Sequence, residues 1–182
     1  MSNCPHIITM MIGIPNSGKT TQVSELIRQD MVPTYNIFSL NRLRLEFAAK
    51  NKIIEPVPEH QEPSAEDYVT AFEYCSDNSE FNAFQKGVWY EMLEKAQNFQ
   101  VPIYMDNMHL IARHRKAMIR DLQGMGLTVR GVYTEVSLGE AINRNAEAKG
   151  VPTRVIERAY ADLEVPEGIE FDEFVHIDTE ME

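Results

Sequence analysis

His6-Ile7-Ile8-Thr9-Met10-Met11-Ile12-Gly13-Ile14-Pro15-Asn16-Ser17-Gly18-Lys19-Thr20-Thr21 is the stretch on which the fold turns. His6–Ile12 is apolar and β-branched enough for a strand at the centre of a sheet. Gly13–Lys19 is loop chemistry, and Thr20–Asp30 reads as a helix. The segment Gly13–Thr20 fits G-x-x-x-x-G-K-[ST], a phosphate loop in the strand–loop–helix setting its mechanism needs. Gly13 and Gly18 let the backbone curl so that successive N–H groups face one anion, and the helix adds its positive N-terminal end at the same point. Lys19 brings a mobile positive charge to the β- and γ-phosphates of a nucleoside triphosphate such as ATP, and Thr20 offers a hydroxyl to Mg²⁺. The candidate triphosphate ligands are Gly13, Pro15, Asn16, Ser17, Gly18, Lys19, Thr20 and Thr21. The motif is silent about what receives the phosphate.

Working outward, strands are expected at Tyr35–Leu40, Val101–Met105, Leu127–Tyr133 and Phe174–Ile177. Helices are expected at Arg42–Lys50, Ala65–Tyr74, Glu80–Asn98, Ala112–Gly124, Leu138–Lys149 and Thr153–Leu163. Strands alternate with helices, which predicts an α/β fold with a parallel sheet covered on both faces. Two aromatic groups read as core: Tyr68, Phe72 and Cys75 as one buried helical stripe, and Trp89, Tyr90, Met92 and Leu93 with Phe81, Phe84 and Phe99 nearby.

The 182 residues suit one domain, 1–182, with 43% apolar and 25% charged residues as in ordinary globular proteins. No apolar run approaches the ~18 residues of a membrane span, and 1–5 lacks the character of a signal segment. Cys4 and Cys75 are too few for a disulfide framework and have no metal-ligand spacing. A reduced, cytoplasmic setting is the expectation. The net charge of −11 is unevenly placed. Ile53–Gln85 holds eight acids and Asp162–Glu182 nine, neither with a Lys or Arg, so all 17 basic residues lie in the remaining, mildly basic body. A polyanion partner is compatible with that distribution, whereas a general DNA-coating role is not.

Val101–Met105 ends at Asp106-Asn107, which places a carboxylate at the carboxyl edge of the sheet, where parallel α/β folds bind ligands. Asp106 there holds Mg²⁺ through water or orients a substrate hydroxyl; the bland alternative is an Asp capping the next helix. Arg113, Arg115, Lys116 and Arg120 make that helix basic, either as a solvated face or as one side of an acceptor groove.

With these pieces in order, the chain resembles the kinase domain of the phage-type 5′-hydroxyl polynucleotide kinases, a branch of the P-loop kinases. The resemblance spans nearly the whole length. It rests on the phosphate loop, Phe38-Ser39-Leu40-Asn41-Arg42-Leu43-Arg44, Asp106-Asn107-Met108-His109-Leu110, Ala141-Ile142-Asn143-Arg144-Asn145 and Val151-Pro152-Thr153-Arg154-Val155-Ile156-Glu157-Arg158. It implies a P-loop kinase fold with a helical lid at about 144–154, followed by an acidic tail, 162–182. It implies transfer of a γ-phosphoryl group from ATP, with Mg²⁺, to a hydroxyl of DNA or RNA. The catalytic set it implies is Lys19, Asn41, Arg44 and Arg144. Arg44, Asp106, Asn107 and His109 would face the acceptor, Thr20 and Asp106 the metal, and Arg144, with Lys149, the closing lid.

Two departures stand out. The family carries an aspartate as general base where this chain has Asn41, and an amide accepts a hydrogen bond but does not usefully take a proton. His109 stands where the family has an amide. Four readings stay open: a polynucleotide 5′-hydroxyl kinase, a DNA kinase acting on the hydroxymethyl group of 5-hydroxymethyluracil, a nucleoside or nucleotide kinase, and a nucleotide-binding switch without transfer.

Overall fold

The computed structural model describes residues 7–31, 33–57, 63–148 and 151–180. Strand β1 (Ile7–Ile12) has Ile8, Met10, Met11 and Ile12 out of solvent on both of its faces, as a central strand of a parallel sheet requires. Each such side chain contributes about 1.5–3 kcal/mol on leaving water. Strands β2 (Asn36–Phe38), β3 (Ile103–Met105), β4 (Thr128–Glu135) and β5 (Glu173–Asp178) complete a five-stranded, all-parallel sheet in the order β2-β3-β1-β4-β5.

The helices are α1 (Lys19–Asp30), α2 (Leu40–Lys50), α3 (Ala65–Cys75), α4 (Ser79–Phe99), α5 (Ala112–Gly124), α6 (Leu138–Ala148) and α7 (Thr153–Asp162), with a short 3₁₀ turn at Gly168–Glu170. Val23 and Leu26 of α1 pack with Met11, Tyr104 and Val132 of the sheet. Ile156 and Ala159 of α7 pack with Ile14, Val136 and Ala141. The expected elements are all present. The second strand is shorter than expected, because Ser39 and Leu40 already begin α2, with Leu43 N–H bonded to Ser39 O. His6 and Lys149, the expected ends of β1 and α6, lie outside the described residues.

Two compact units divide the chain, 1–38 with 92–182, and 39–91. The first contains the sheet. The second has its own core, in which Phe47 meets the rings of Tyr74, Phe81 and Phe84 beside buried Leu43, Ala48, Ala71 and Cys75. The aromatic stripe expected on α3 is corrected here. Cys75 and Ala71 are buried, but Tyr68 and Phe72 are exposed, because the helix seats its small residues inward. On α4 the buried residues are Phe81, Leu93 and Ala96, while Tyr90 and Phe99 face solvent. No helix among the described residues is long and apolar enough to cross a membrane.

Candidate active site

The phosphate loop leaves β1 at the carboxyl edge, where the strand order reverses between β1 and β3. Gly13 adopts φ 151°, and a Cβ there would lie 2.6 Å from both Ser17 Oγ and Thr134 Oγ1. The site therefore excludes any side chain at Gly13. Buried Ser17 and Thr134 share a 2.7 Å hydroxyl–hydroxyl bond, and Thr134 also donates to Ile12 O, so β4 braces the underside of the loop. Gly13 N–H donates to Met108 O at 3.1 Å, which ties the loop to the segment after β3. Gly18, at φ 85°, turns the chain into α1. The N-terminus of α1 has neither a side-chain cap nor an acid in its first turn, unlike α3, where Ser64 and Asp67 form a full capping box. An anion is the natural partner for N–H groups presented this way.

Lys19 folds back so that Nζ donates to Ile14 O at 2.6 Å. Burial pulls its pKa down to about 8, against the opposing pull of the Asp106 carboxylate. Thr20 Oγ1 donates to Asp106 Oδ2 at 2.9 Å, which joins the loop's hydroxyl to the carboxylate at the end of β3. Asp106 N–H is bonded to Phe38 O, and Asn107 Nδ2 donates to the same carbonyl, so the pair sits on fixed backbone. Thr20 and Asp106 are hard oxygen donors. Among the described residues no cluster of three or more His, Cys, Asp or Glu could cage an ion. That donor set suits Mg²⁺, which keeps water and phosphate oxygens as its remaining ligands.

Arg144, on α6, forks between elements. Its guanidinium donates to Glu140 Oε1 at 2.9 Å, Thr179 Oγ1 at 3.1 Å, Thr179 O at 2.7 Å and, at 3.5 Å, Asn16 O of the loop. Asn145 accepts from Asn16 Nδ2 at 3.1 Å and donates to Val151 O, so α6 also holds the crown of the loop. Lys149 lies outside the described residues.

His109 has φ 47°, and its Nε2 is out of solvent with no partner among the described residues. Burial, with positive Arg115 and Lys19 nearby, lowers its pKa to about 4, so the imidazole is neutral at pH 7. Arg115 is a correction to the basic-helix reading. Its side chain is fully buried and binds Glu170 through Nε at 2.8 Å and a second nitrogen at 3.0 Å, and its remaining nitrogen donates to His109 O and Leu110 O. Burial opposes ionisation of Glu170, but the Arg115 bonds outweigh it and hold the carboxyl below its ordinary range. Arg113, Lys116 and Arg120 remain exposed.

In the second unit, Asn41 and Arg44 sit one turn apart on α2, and Arg44 donates to Asn41 Oδ1 at 3.2 Å. The Arg44 guanidinium lies over the Phe72 ring, 5.0 Å from its centroid. Burial shifts its pKa downward, slightly offset by Cys75.

Thr134 and Thr179 escaped sequence reasoning. Each is a small residue at or just past a strand end, and only the parallel register brings it to the loop. A cleft of about 360 Å³ lies beside β4 and β5, lined in part by Tyr133, Tyr160, Glu135, Asp178 and Glu180. No phosphate-loop residue lines it, and its carboxylates repel a triphosphate.

No protein-family model matches the chain, and no curated protein matches it in sequence. Solved structures do match. Kti12 from Chaetomium thermophilum, in complex with ADP-AlF3, superposes with TM-score 0.59 at 12% identity over 96% of this chain and 90% of that one. A gluconokinase from Sinorhizobium meliloti gives 0.51 at 15% identity, covering 96% and 82%. The chain has the P-loop kinase fold. A chain of the Pnkp1/Rnl/Hen1 RNA repair complex gives 0.52 at 15% identity, covering 87% of this chain and 44% of that one.

Proposed function

We propose that this P-loop kinase-fold chain is a Mg²⁺-dependent phosphotransferase. It moves the γ-phosphoryl group of ATP to a hydroxyl of a nucleic acid, first of all the 5′-hydroxyl of a polynucleotide. The observation that carries the reading is the 2.9 Å bond between Thr20 and Asp106 at the mouth of a braced phosphate loop. The loop N–H groups and Lys19 bind the triphosphate. Thr20 and Asp106 would hold Mg²⁺, which would supply positive charge to offset the negative charge of the triphosphate. Arg144 reaches the transferring group once ATP displaces it from Thr179. Asn41 accepts the hydrogen bond of the acceptor hydroxyl, and Arg44 holds an acceptor phosphate.

The acceptor class rests on the ordered motifs that resemble those of polynucleotide kinases and on the Asn41–Arg44 pair. The test is transfer from γ-labelled ATP to a panel of acceptors: a 5′-hydroxyl oligonucleotide, duplex containing hydroxymethyluracil, and free nucleosides and nucleotides. Labelling of the oligonucleotide end is expected. Labelling of the modified base alone would move the acceptor hydroxyl into the duplex, and labelling of free nucleotides alone would overturn a nucleic-acid acceptor. ATP binding without any transfer would make the chain a nucleotide-binding switch.

A further inference from the structure

On α3 the polarity runs against the usual order: Ala71 and Cys75 are buried, while Tyr68 (37% exposed), Val69 (41%) and Phe72 (53%) meet solvent. Tyr68 and Phe72 are four residues apart, so their side chains stand one above the other on the same face. Glu66 and Glu73, themselves seven apart, occupy a different face of the helix. The Arg44 guanidinium covers one side of Phe72 and also grips the Asn41 amide oxygen. The result is one continuous array of amide, guanidinium and aromatic ring, all within the second unit.

We propose that Phe72, with Tyr68 beside it, is a stacking platform for an unpaired base of the acceptor strand, next to a phosphate held by Arg44. This rests on the nucleic-acid reading above and narrows it to a single-stranded or splayed-out end. Phosphate, sugar hydroxyl and base face are the three chemistries of a nucleotide. Guanidinium, amide and exposed ring match them in turn. The charge balance points to a single strand as well. Ser39–Glu91 carries ten acids against five basic residues, and a duplex held mainly by phosphate contacts has no cationic track to follow there. Stacking on the ring adds affinity that needs no cationic track, because every base has a π-face, and the single phosphate contact falls to Arg44. A docking site for another protein would use the same apolar stripe, but it would give the Arg44–Asn41 pair no task.

The test uses the full chain and a 5′-hydroxyl single-stranded DNA decamer labelled at its 3′ end. Phe72→Leu should weaken decamer binding and raise its KM by roughly 5- to 150-fold, the usual range for loss of one stacked base. ATP affinity should not change, and Phe72→Trp should restore binding. An abasic terminal nucleotide should cost the native chain the same factor and cost Phe72→Leu nothing further. Folding of both variants is checked by circular dichroism, and the ring's exposure makes a native spectrum the expected one. Equal decamer affinity for the native chain and Phe72→Leu, or an equal loss with the abasic strand, overturns the platform and leaves the nucleic-acid acceptor standing. Absence of any decamer binding or transfer by the native chain overturns both.

Discussion

Arg144 on α6 donates 2.7 Å to the backbone carbonyl of Thr179, one residue past the end of β5, while another of its nitrogens lies 3.5 Å from Asn16 O of the phosphate loop. A guanidinium so tied satisfies its own donors beside the phosphate loop, with Glu140 as its charge partner. In the proposed reaction, release from Thr179 would cost hydrogen bonds that a γ-phosphate would replace with stronger, charge-assisted ones.

Arg144→Ala should therefore leave ATP affinity nearly intact and lower turnover by roughly 10³-fold, the lower end of what a transition-state arginine contributes. Arg144→Lys should recover little, since an ammonium lacks the planar fork. Steady-state rates with separately measured ATP binding distinguish the outcomes. Unchanged turnover would confine Arg144 to holding the end of β5.

If Lys19 binds the triphosphate as proposed, ATP binding should depend on pH. Its pKa of about 8 in the fold, against 10.5 for an ordinary lysine, should rise when the triphosphate arrives, so binding near pH 8 should take up protons. Titration calorimetry in buffers of different ionisation enthalpy reads that uptake directly. Without nucleotide, the unfolded chain binds more protons than the fold between about pH 8 and 10.5. This group's share of stability then rises with pH through that window and is flat below it. Lys19→Ala should abolish transfer, weaken ATP binding and remove both pH effects.

Asp106→Asn and Thr20→Val test the metal pair. Each should raise the Mg²⁺ concentration for half-maximal transfer by roughly tenfold or more while ATP still binds. Substitution at Asp106 that abolishes transfer without loss of Mg²⁺ binding would give the carboxylate a different task, proton acceptance from the substrate.

Arg115→Ala should destabilise the fold by roughly 3–5 kcal/mol, because it leaves Glu170 charged and unpaired out of water. The double change Arg115→Met with Glu170→Leu should regain most of the loss. Urea denaturation of the three chains decides it. If the single variant loses less than 1 kcal/mol, the pair is not the internal brace that its burial indicates.

Asn41→Asp should speed transfer by roughly 10²–10⁴-fold, the contribution of a positioned general base. Arg44, already 3.2 Å from the amide oxygen, would pair with the new carboxylate and keep it ionised, so the gain should persist to mildly acidic pH. An unchanged rate would place the proton acceptor elsewhere.

The phosphate loop was legible from local chemistry alone, since Gly13, Gly18, Lys19 and Thr20 act through backbone torsion and their own side chains within eight residues. The α/β alternation was equally legible, because it follows from the period of apolar residues along each segment. Asp106 followed from its place at the end of a strand. Other features depend on register and packing between distant segments. Thr134 reaches the loop because β4 pairs with β1, and Thr179 reaches Arg144 because β5 pairs with β4. Arg115 looks like one more cation in a basic run until Glu170, 55 residues on, closes over it. Phe72 has the spacing of a core residue, and only the packing of α3 decides that the smaller Ala71 and Cys75 face inward and leave the ring in water. Helical periodicity names the faces of a helix, but it does not say which face is buried, because burial belongs to the pair of elements that pack together.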